Sequence, residues 1–85
     1  MYKIEFTPEA EEDYQYWKES NHKIIKRIDL LIESIKVTPF SGIGKPEPLK
    51  HNRTGFWSRR IDTEHRLVYK VYGKIIYIAQ CRYHY

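Results

Sequence analysis

A carboxylate in a proline-rich segment is the first group of the chain that could take part in chemistry. Glu47 stands between Pro46 and Pro48, with Lys45 and Lys50 on either side. The prolines stiffen the backbone around the carboxylate. Glu47 is therefore a candidate general base, although an exposed loop glutamate without a role fits the same pattern.

Three arginines and the chain end add further polar groups. Arg59, Arg60 and Arg66 lie within or beside predicted strands, where a guanidinium is held more rigidly than in a loop and can bind a phosphate in a defined geometry. His84 and Tyr85 follow directly after a predicted strand, which could hold them at the sheet edge. For each of these residues taken alone, the competing interpretation is a solvent-exposed side chain without a functional role.

Together, these residue types match the needs of RNA cleavage by internal transesterification. A base must take the proton of the 2′-hydroxyl, a cation must stabilise the phosphorane, and an acid must protonate the departing 5′-oxygen. An aromatic ring can hold an unstacked base. Glutamate, arginine, histidine and tyrosine provide this set without a metal ion, but their spacing does not show that they meet in space.

The rest of the chain argues against other kinds of site. The four histidines are scattered and Cys81 is the single cysteine, so zinc-ligand spacing is absent. No glycine-rich phosphate loop precedes a helix, and one loop carboxylate makes a glycosidase improbable. Cys81 lies in an apolar run and is predicted to be core. The residues alone therefore give no signature of a zinc site or of a phosphate-binding loop.

The length and net charge of the chain indicate how many domains it forms and which partners it favours. A chain of 85 residues predicts a single domain spanning residues 1–85. Fifteen Lys and Arg face eleven Asp and Glu, a net charge of +4, which favours a phosphate backbone or an acidic protein partner. The single cysteine, the lack of a signal stretch and the lack of a membrane span predict a cytoplasmic protein.

The hydrophobic pattern predicts two helices between strands. Apolar and polar residues alternate at the start of the chain, which predicts a short strand, and Thr7-Pro8 then gives a helix-start signal. Ser20-Asn21 separates two amphipathic stretches, which predicts a helical hairpin. Residues 37–49 hold five prolines and glycines, which predicts a long loop without regular structure. Alternating runs at residues 55–61, 65–72 and 75–83 predict three strands. The order β-α-α-β-β-β predicts an α+β fold with a mostly antiparallel, four-stranded sheet.

Several long peptides of the chain resemble the YoeB toxins of the RelE/ParE superfamily. They are residues 44–52 (GKPEPLKHN), 55–61 (GFWSRRI), 64–69 (EHRLVY) and 81–85 (CRYHY), and the resemblance covers nearly the whole chain. It implies a microbial-ribonuclease-like fold and a toxin that cuts messenger RNA in the ribosomal A site without a cofactor. It also implies a homodimer and a YefM-type antitoxin with an acidic segment that folds on binding.

The same resemblance implies roles for individual residues. Glu47 matches the general base, His84 the general acid, Arg66 the arginine that stabilises the phosphorane, and Tyr85 the tyrosine that positions the mRNA. The remaining predicted RNA contacts are Lys45, Lys50, Arg59 and Arg60. Relatives carry other residues at Ile43 and at Arg53-Thr54, which are expected to affect the choice of antitoxin more than the chemistry.

Three other functions remain open at this point. A gyrase poison of the related ParE type would need no His84-Tyr85 end, and an inactive binding module would be favoured by loss of Glu47, Arg66 or His84, all of which are present. A ribonuclease that works without the ribosome is compatible with the same residues, although so small a domain offers little recognition surface of its own.

Overall fold

The computed structural model describes residues 2–83 of the chain. Its elements are strand β1 (Lys3–Phe6), helices α1 (Pro8–Ser20) and α2 (His22–Val37), strand β2 (Glu47–Pro48), a 3₁₀ turn (His51–Arg53), and strands β3 (Phe56–Arg60), β4 (Arg66–Tyr72) and β5 (Ile75–Gln80). Within residues 2–83, no helix has the length and apolar character needed to cross a membrane.

The strands form one sheet in the order β1-β5-β4-β3-β2. β1 runs parallel to β5, and all other neighbours are antiparallel. The predicted α+β class is confirmed, but the predicted number of four strands is wrong, because residues 2–83 form five. The additional strand, β2, lies in the segment for which the prolines and glycines predict no regular element. A proline is tolerated there because β2 is an edge strand, where a missing N–H costs no ladder bond.

Both helices begin at side chains that cap them, as the sequence predicts. The Thr7 hydroxyl accepts a hydrogen bond from the Ala10 N–H (3.2 Å), and Pro8 occupies the first turn. The Asn21 side chain accepts from the N–H groups of Lys23 and Ile24. Each cap stabilises its helix by about 1 kcal/mol, and together they define the sharp junction of the helical hairpin.

The two helices cover one face of the sheet. The buried cluster between them and the sheet contains Ala10, Trp17, Ile28, Leu31, Ile35, Ile61, Leu67, Tyr69, Ile76, Ile78 and Cys81. Side chains alternate between the faces of a strand. Since Leu67 and Tyr69 point into this core, Arg66 and Val68 project from the face that the helices do not cover. We call it the open face, although Val68 and Ser58 on it are themselves buried.

The last strand is shorter than the alternating pattern predicts. β5 ends at Gln80 rather than at residue 83, because side chains of α1 take over the backbone groups of Cys81. The Cys81 N–H donates to Asp13 Oδ2 (3.1 Å), and the Trp17 indole N–H donates to the Cys81 carbonyl (2.8 Å). The chain therefore leaves the sheet early and turns toward the beginning of β4.

Candidate active site on the open face of the sheet

The register of three neighbouring strands brings Glu47 and Arg66 to the same face. Glu47 of β2 pairs with Ser58 of β3, Ser58 pairs with Val68 of β4, and Arg60 pairs with Arg66. Directly opposed residues of an antiparallel pair point to the same side of the sheet. Glu47, Arg60 and Arg66 therefore all lie on the open face. The strand and residue spacings put the Cα atoms of Glu47 and Arg66 roughly 12 Å apart, a gap that their two long side chains can largely span.

A positively charged cleft lies beside Glu47. It has a volume of about 550 Å³ and is lined by residues 47–53. Lys50 and Arg53 thus line the same cleft as Glu47, and Lys45, Lys50 and Arg60 are exposed to solvent. Arg53, expected to affect the choice of antitoxin more than the chemistry, also donates from its guanidinium to Gln80 Oε1 of β5 (3.4 Å). Its weight for antitoxin choice or for the chemistry therefore stays a prediction.

The C-terminal segment is tied to the start of β4. The Arg66 N–H donates to the Tyr83 carbonyl (3.0 Å), and the Tyr83 N–H donates to Nδ1 of His65 (2.7 Å). The residue that precedes His84 is therefore fixed beside Arg66. His84 and Tyr85 themselves lie outside the described residues, so their predicted roles as acid and positioning aromatic stay predictions.

Arg59 requires a correction, because it is buried rather than placed to contact RNA. Its side chain is fully buried on the helix-covered face of the sheet. The guanidinium donates to the Tyr69 hydroxyl, the Ser34 hydroxyl and the carbonyls of Thr38, Ser41 and Ile43. With its donors occupied inside the protein, Arg59 is not available to a phosphate. It instead fixes the segment that leads from α2 to β2, and hence to Glu47.

The sequence interpretation missed a group of residues that hold the C-terminal segment. Asp13 and Trp17 bind the backbone of Cys81, and the Arg82 guanidinium stacks between the rings of Tyr16 (3.5 Å) and Tyr83 (4.6 Å). His65, which binds the Tyr83 N–H, also belongs to this group. The sequence does indicate its burial, since alternation places His65 on the same, buried face as Leu67. Trp17 and Asp13 gave no such signal, because their bonds join parts of the chain that are far apart in sequence.

Burial changes the acidity of two groups in this region. Desolvation raises the pKa of the Asp13 carboxyl, and the Cys81 N–H bond partly offsets that effect. Desolvation also raises the pKa of the Cys81 thiol to about 12. The prediction that Cys81 is a core residue is confirmed, and its thiol is poorly suited to nucleophilic chemistry. Within residues 2–83, no cluster of three or more His, Cys, Asp or Glu residues could hold a metal ion.

Comparison with known proteins identifies the relatives of this fold and site. The family model described as the YoeB-like toxin of bacterial type II toxin–antitoxin systems matches residues 6–85. Toxin YoeB of Escherichia coli K12 is 55% identical over 83 residues, which cover 98% of this chain and 99% of that protein. Toxin RelK of Mycobacterium tuberculosis is 48% identical over 85 residues, the full length of both chains.

Solved structures agree with this assignment. A YoeB/ParE toxin from Agrobacterium tumefaciens superimposes with a TM-score of 0.93 at 44% identity, covering 98% of this chain and 99% of that one. The toxin in a YoeB–YefM complex from Staphylococcus aureus gives 0.91 at 51% identity, covering 100% and 99%. The chain is thus a toxin of the bacterial type II toxin–antitoxin class. Within that class it belongs to the YoeB-like toxin family.

Proposed function

We propose that this toxin is a ribosome-dependent mRNA endonuclease, an mRNA interferase that inhibits translation by cutting mRNA in the A site. The observation that carries the proposal is the shared position of Glu47 and Arg66 on the open face, together with the tie between Tyr83 and Arg66. These features put a carboxylate and a guanidinium on one face of the sheet and fix the residue before His84 beside that guanidinium.

The proposed chemistry uses these side chains as a metal-independent acid–base set. Glu47 takes the proton of the 2′-hydroxyl, and the 2′-oxygen attacks the adjacent phosphorus. Arg66 stabilises the negative charge of the phosphorane. His84 gives a proton to the departing 5′-oxygen, which leaves a 2′,3′-cyclic phosphate and a 5′-hydroxyl, while Tyr85 holds the mRNA in position. Each acid or base contributes about 10²–10⁴-fold to the rate.

The basic residues around the cleft provide the electrostatic attraction for RNA. Lys45, Lys50 and Arg60 are exposed, and we propose that they contact the phosphate backbone, with Arg53 added to this group by its place in the cleft. Such contacts bind RNA without reading its sequence. Because the chain offers few groups for base recognition, the ribosome supplies the position of the cut.

Partners are proposed from the relatives. The S. aureus relatives were solved as a YoeB dimer and as YoeB–YefM complexes, and we propose a homodimer and a YefM-type antitoxin for this chain. An acidic antitoxin segment would complement the net charge of +4. The site of action that follows is the cytoplasm, where mRNA and ribosomes are.

Primer extension on a defined mRNA in a purified translation system tests the proposal. Wild type, Glu47→Ala and His84→Gln are compared with and without ribosomes, and Glu33→Ala is the matched control, since Glu33 is an exposed carboxylate on α2. We expect ribosome-dependent cuts by wild type and Glu33→Ala, and a loss of about 10²–10⁴-fold in the two site variants. Thermal unfolding of each variant checks that the fold is kept.

Other outcomes point to other functions. Cuts without ribosomes would make the protein a free ribonuclease. Normal cleavage by both Glu47→Ala and His84→Gln would refute the assigned acid and base. Absence of cuts in every sample would turn attention to gyrase inhibition or to antitoxin binding alone.

A further inference from the structure

The last residue that the structure describes has an unusual backbone conformation. Tyr83 has a φ of +66°, a left-handed conformation that costs a non-glycine residue about 1 kcal/mol or more. Such a conformation persists only where its surroundings fix it. Here both backbone groups are fixed by consecutive residues: the N–H by Nδ1 of His65 and the carbonyl by the N–H of Arg66.

The imidazole of His65 is itself held firmly. The residue is only 8% exposed, and its ring lies edge-on against the Trp17 indole with centroids 4.8 Å apart. Its Nε2 lies 3.5 Å from Oε1 of the exposed Glu64. Because Nδ1 accepts the Tyr83 N–H at 2.7 Å, Nδ1 carries no proton and the hydrogen of the neutral ring is on Nε2.

We infer that His65 is a positioning residue for the end of the chain. Its Nδ1 lone pair keeps Tyr83, the residue before the proposed acid, in the left-handed conformation. The effect on cleavage rests on the proposed function, whereas the hydrogen bond itself does not.

The geometry argues for positioning rather than for core packing alone. His65 binds the neighbour of the proposed acid, and the next residue, Arg66, is the proposed phosphorane-stabilising cation. Two consecutive residues, His65 directly before β4 and Arg66 at its start, therefore anchor the segment that bears the acid and carry the cation. A shift of about 1 Å between such groups costs up to about 10²-fold in rate.

Two amide substitutions separate the hydrogen bond from the volume of the ring. The side-chain oxygen of His65→Asn can stand near the place of Nδ1, whereas His65→Gln puts its amide near the place of Nε2. We expect His65→Asn to keep the hydrogen bond to the Tyr83 N–H and His65→Gln to lose it. The first measurement is hydrogen exchange of the Tyr83 amide in the full chain by NMR, which requires neither RNA nor ribosomes. Protection should fall at least about 10-fold in His65→Gln relative to wild type and stay within about 3-fold in His65→Asn.

The second measurement is ribosome-dependent cleavage by the same proteins. His65→Gln should lose about 10²-fold in kcat with KM changed by less than about 3-fold, and His65→Asn should recover most of that loss. The ¹⁵N shifts of the wild-type ring should show an unprotonated Nδ1.

Three results would overturn the inference. The first is a protonated Nδ1 in the wild type. The second is an equal loss of cleavage and of thermal stability in His65→Asn and His65→Gln. The third is normal cleavage by His65→Gln although its Tyr83 amide is unprotected. If the wild type does not cut RNA at all, the proposed function fails, and the exchange data still decide whether His65 holds Tyr83.

Discussion

The buried guanidinium of Arg59 leads to a quantitative prediction for Arg59→Lys. Arg59 donates five hydrogen bonds, two to hydroxyl groups and three to backbone carbonyls. A lysine keeps the charge, but its ammonium offers three donors from a single point. At least two of the five bonds are therefore lost, and the acceptors that remain are buried around the lysine.

The expected destabilisation follows from these bonds. A hydrogen bond to a charged group contributes about 1.5–3 kcal/mol, so the loss of two bonds lowers the free energy of unfolding by about 3–6 kcal/mol. Domains of this size have about 5–15 kcal/mol in total. Since 1 kcal/mol corresponds to a Tm shift of about 4–8 °C in a domain of 60–100 residues, Arg59→Lys should melt at least about 12 °C below wild type.

Thermal and urea unfolding, followed by circular dichroism, measure this difference. Arg60→Lys is the matched control, because Arg60 is the next residue of β3 and its side chain is exposed. The control should unfold within about 0.5 kcal/mol of wild type. If Arg59→Lys unfolds within about 1 kcal/mol of wild type, the five bonds do not hold the segment before β2, and the structural role given to Arg59 is refuted.

Two further predictions concern buried groups. Tyr69→Phe removes a hydroxyl that donates to the Pro39 carbonyl (2.6 Å) and accepts from Arg59 Nε (3.1 Å). Urea unfolding should therefore show a free energy of unfolding lower by about 1–3 kcal/mol. An unchanged urea midpoint would contradict this. Burial raises the pKa of Cys81 from 9.0 to about 12, so the thiol of the unfolded chain ionises first and stability is lost as pH rises between those values. From pH 8 to pH 10 the wild type should lose about 1 kcal/mol more than Cys81→Ala, and equal losses would show that the thiol is not desolvated.

Local signals predict most of the fold correctly. Thr7-Pro8 and Asn21 mark the helix starts because capping depends on residues within one turn. The alternation of β3 and β4 is visible because one face packs against the helices and the other does not. By contrast, β2 exists only because it pairs with β3, and β5 ends early only because α1 side chains bind Cys81. Such long-range contacts leave no local pattern.

The site shows the same division between local and long-range information. The sequence indicates that Arg59 shares a face with Ile61, but it does not show that the helices cover that face. It also does not show that three loop carbonyls converge on the guanidinium. Glu47 and Arg66, in contrast, lie on one face as the proposed chemistry needs, and strand register alone accounts for this.

The parallel pairing of the first and last strands has a consequence for synthesis. β1 hydrogen-bonds to β5, and the Thr7 hydroxyl donates to the Ala79 carbonyl, 72 positions later. A growing chain is made from its N-terminus, so β1 stays without its partner until almost every residue has left the ribosome. A product cut short before β5 lacks a neighbour for both β1 and β4. Copies that end before β5 therefore lack the five-stranded sheet and also the segment from Cys81 to Tyr83 that is tied to Arg66.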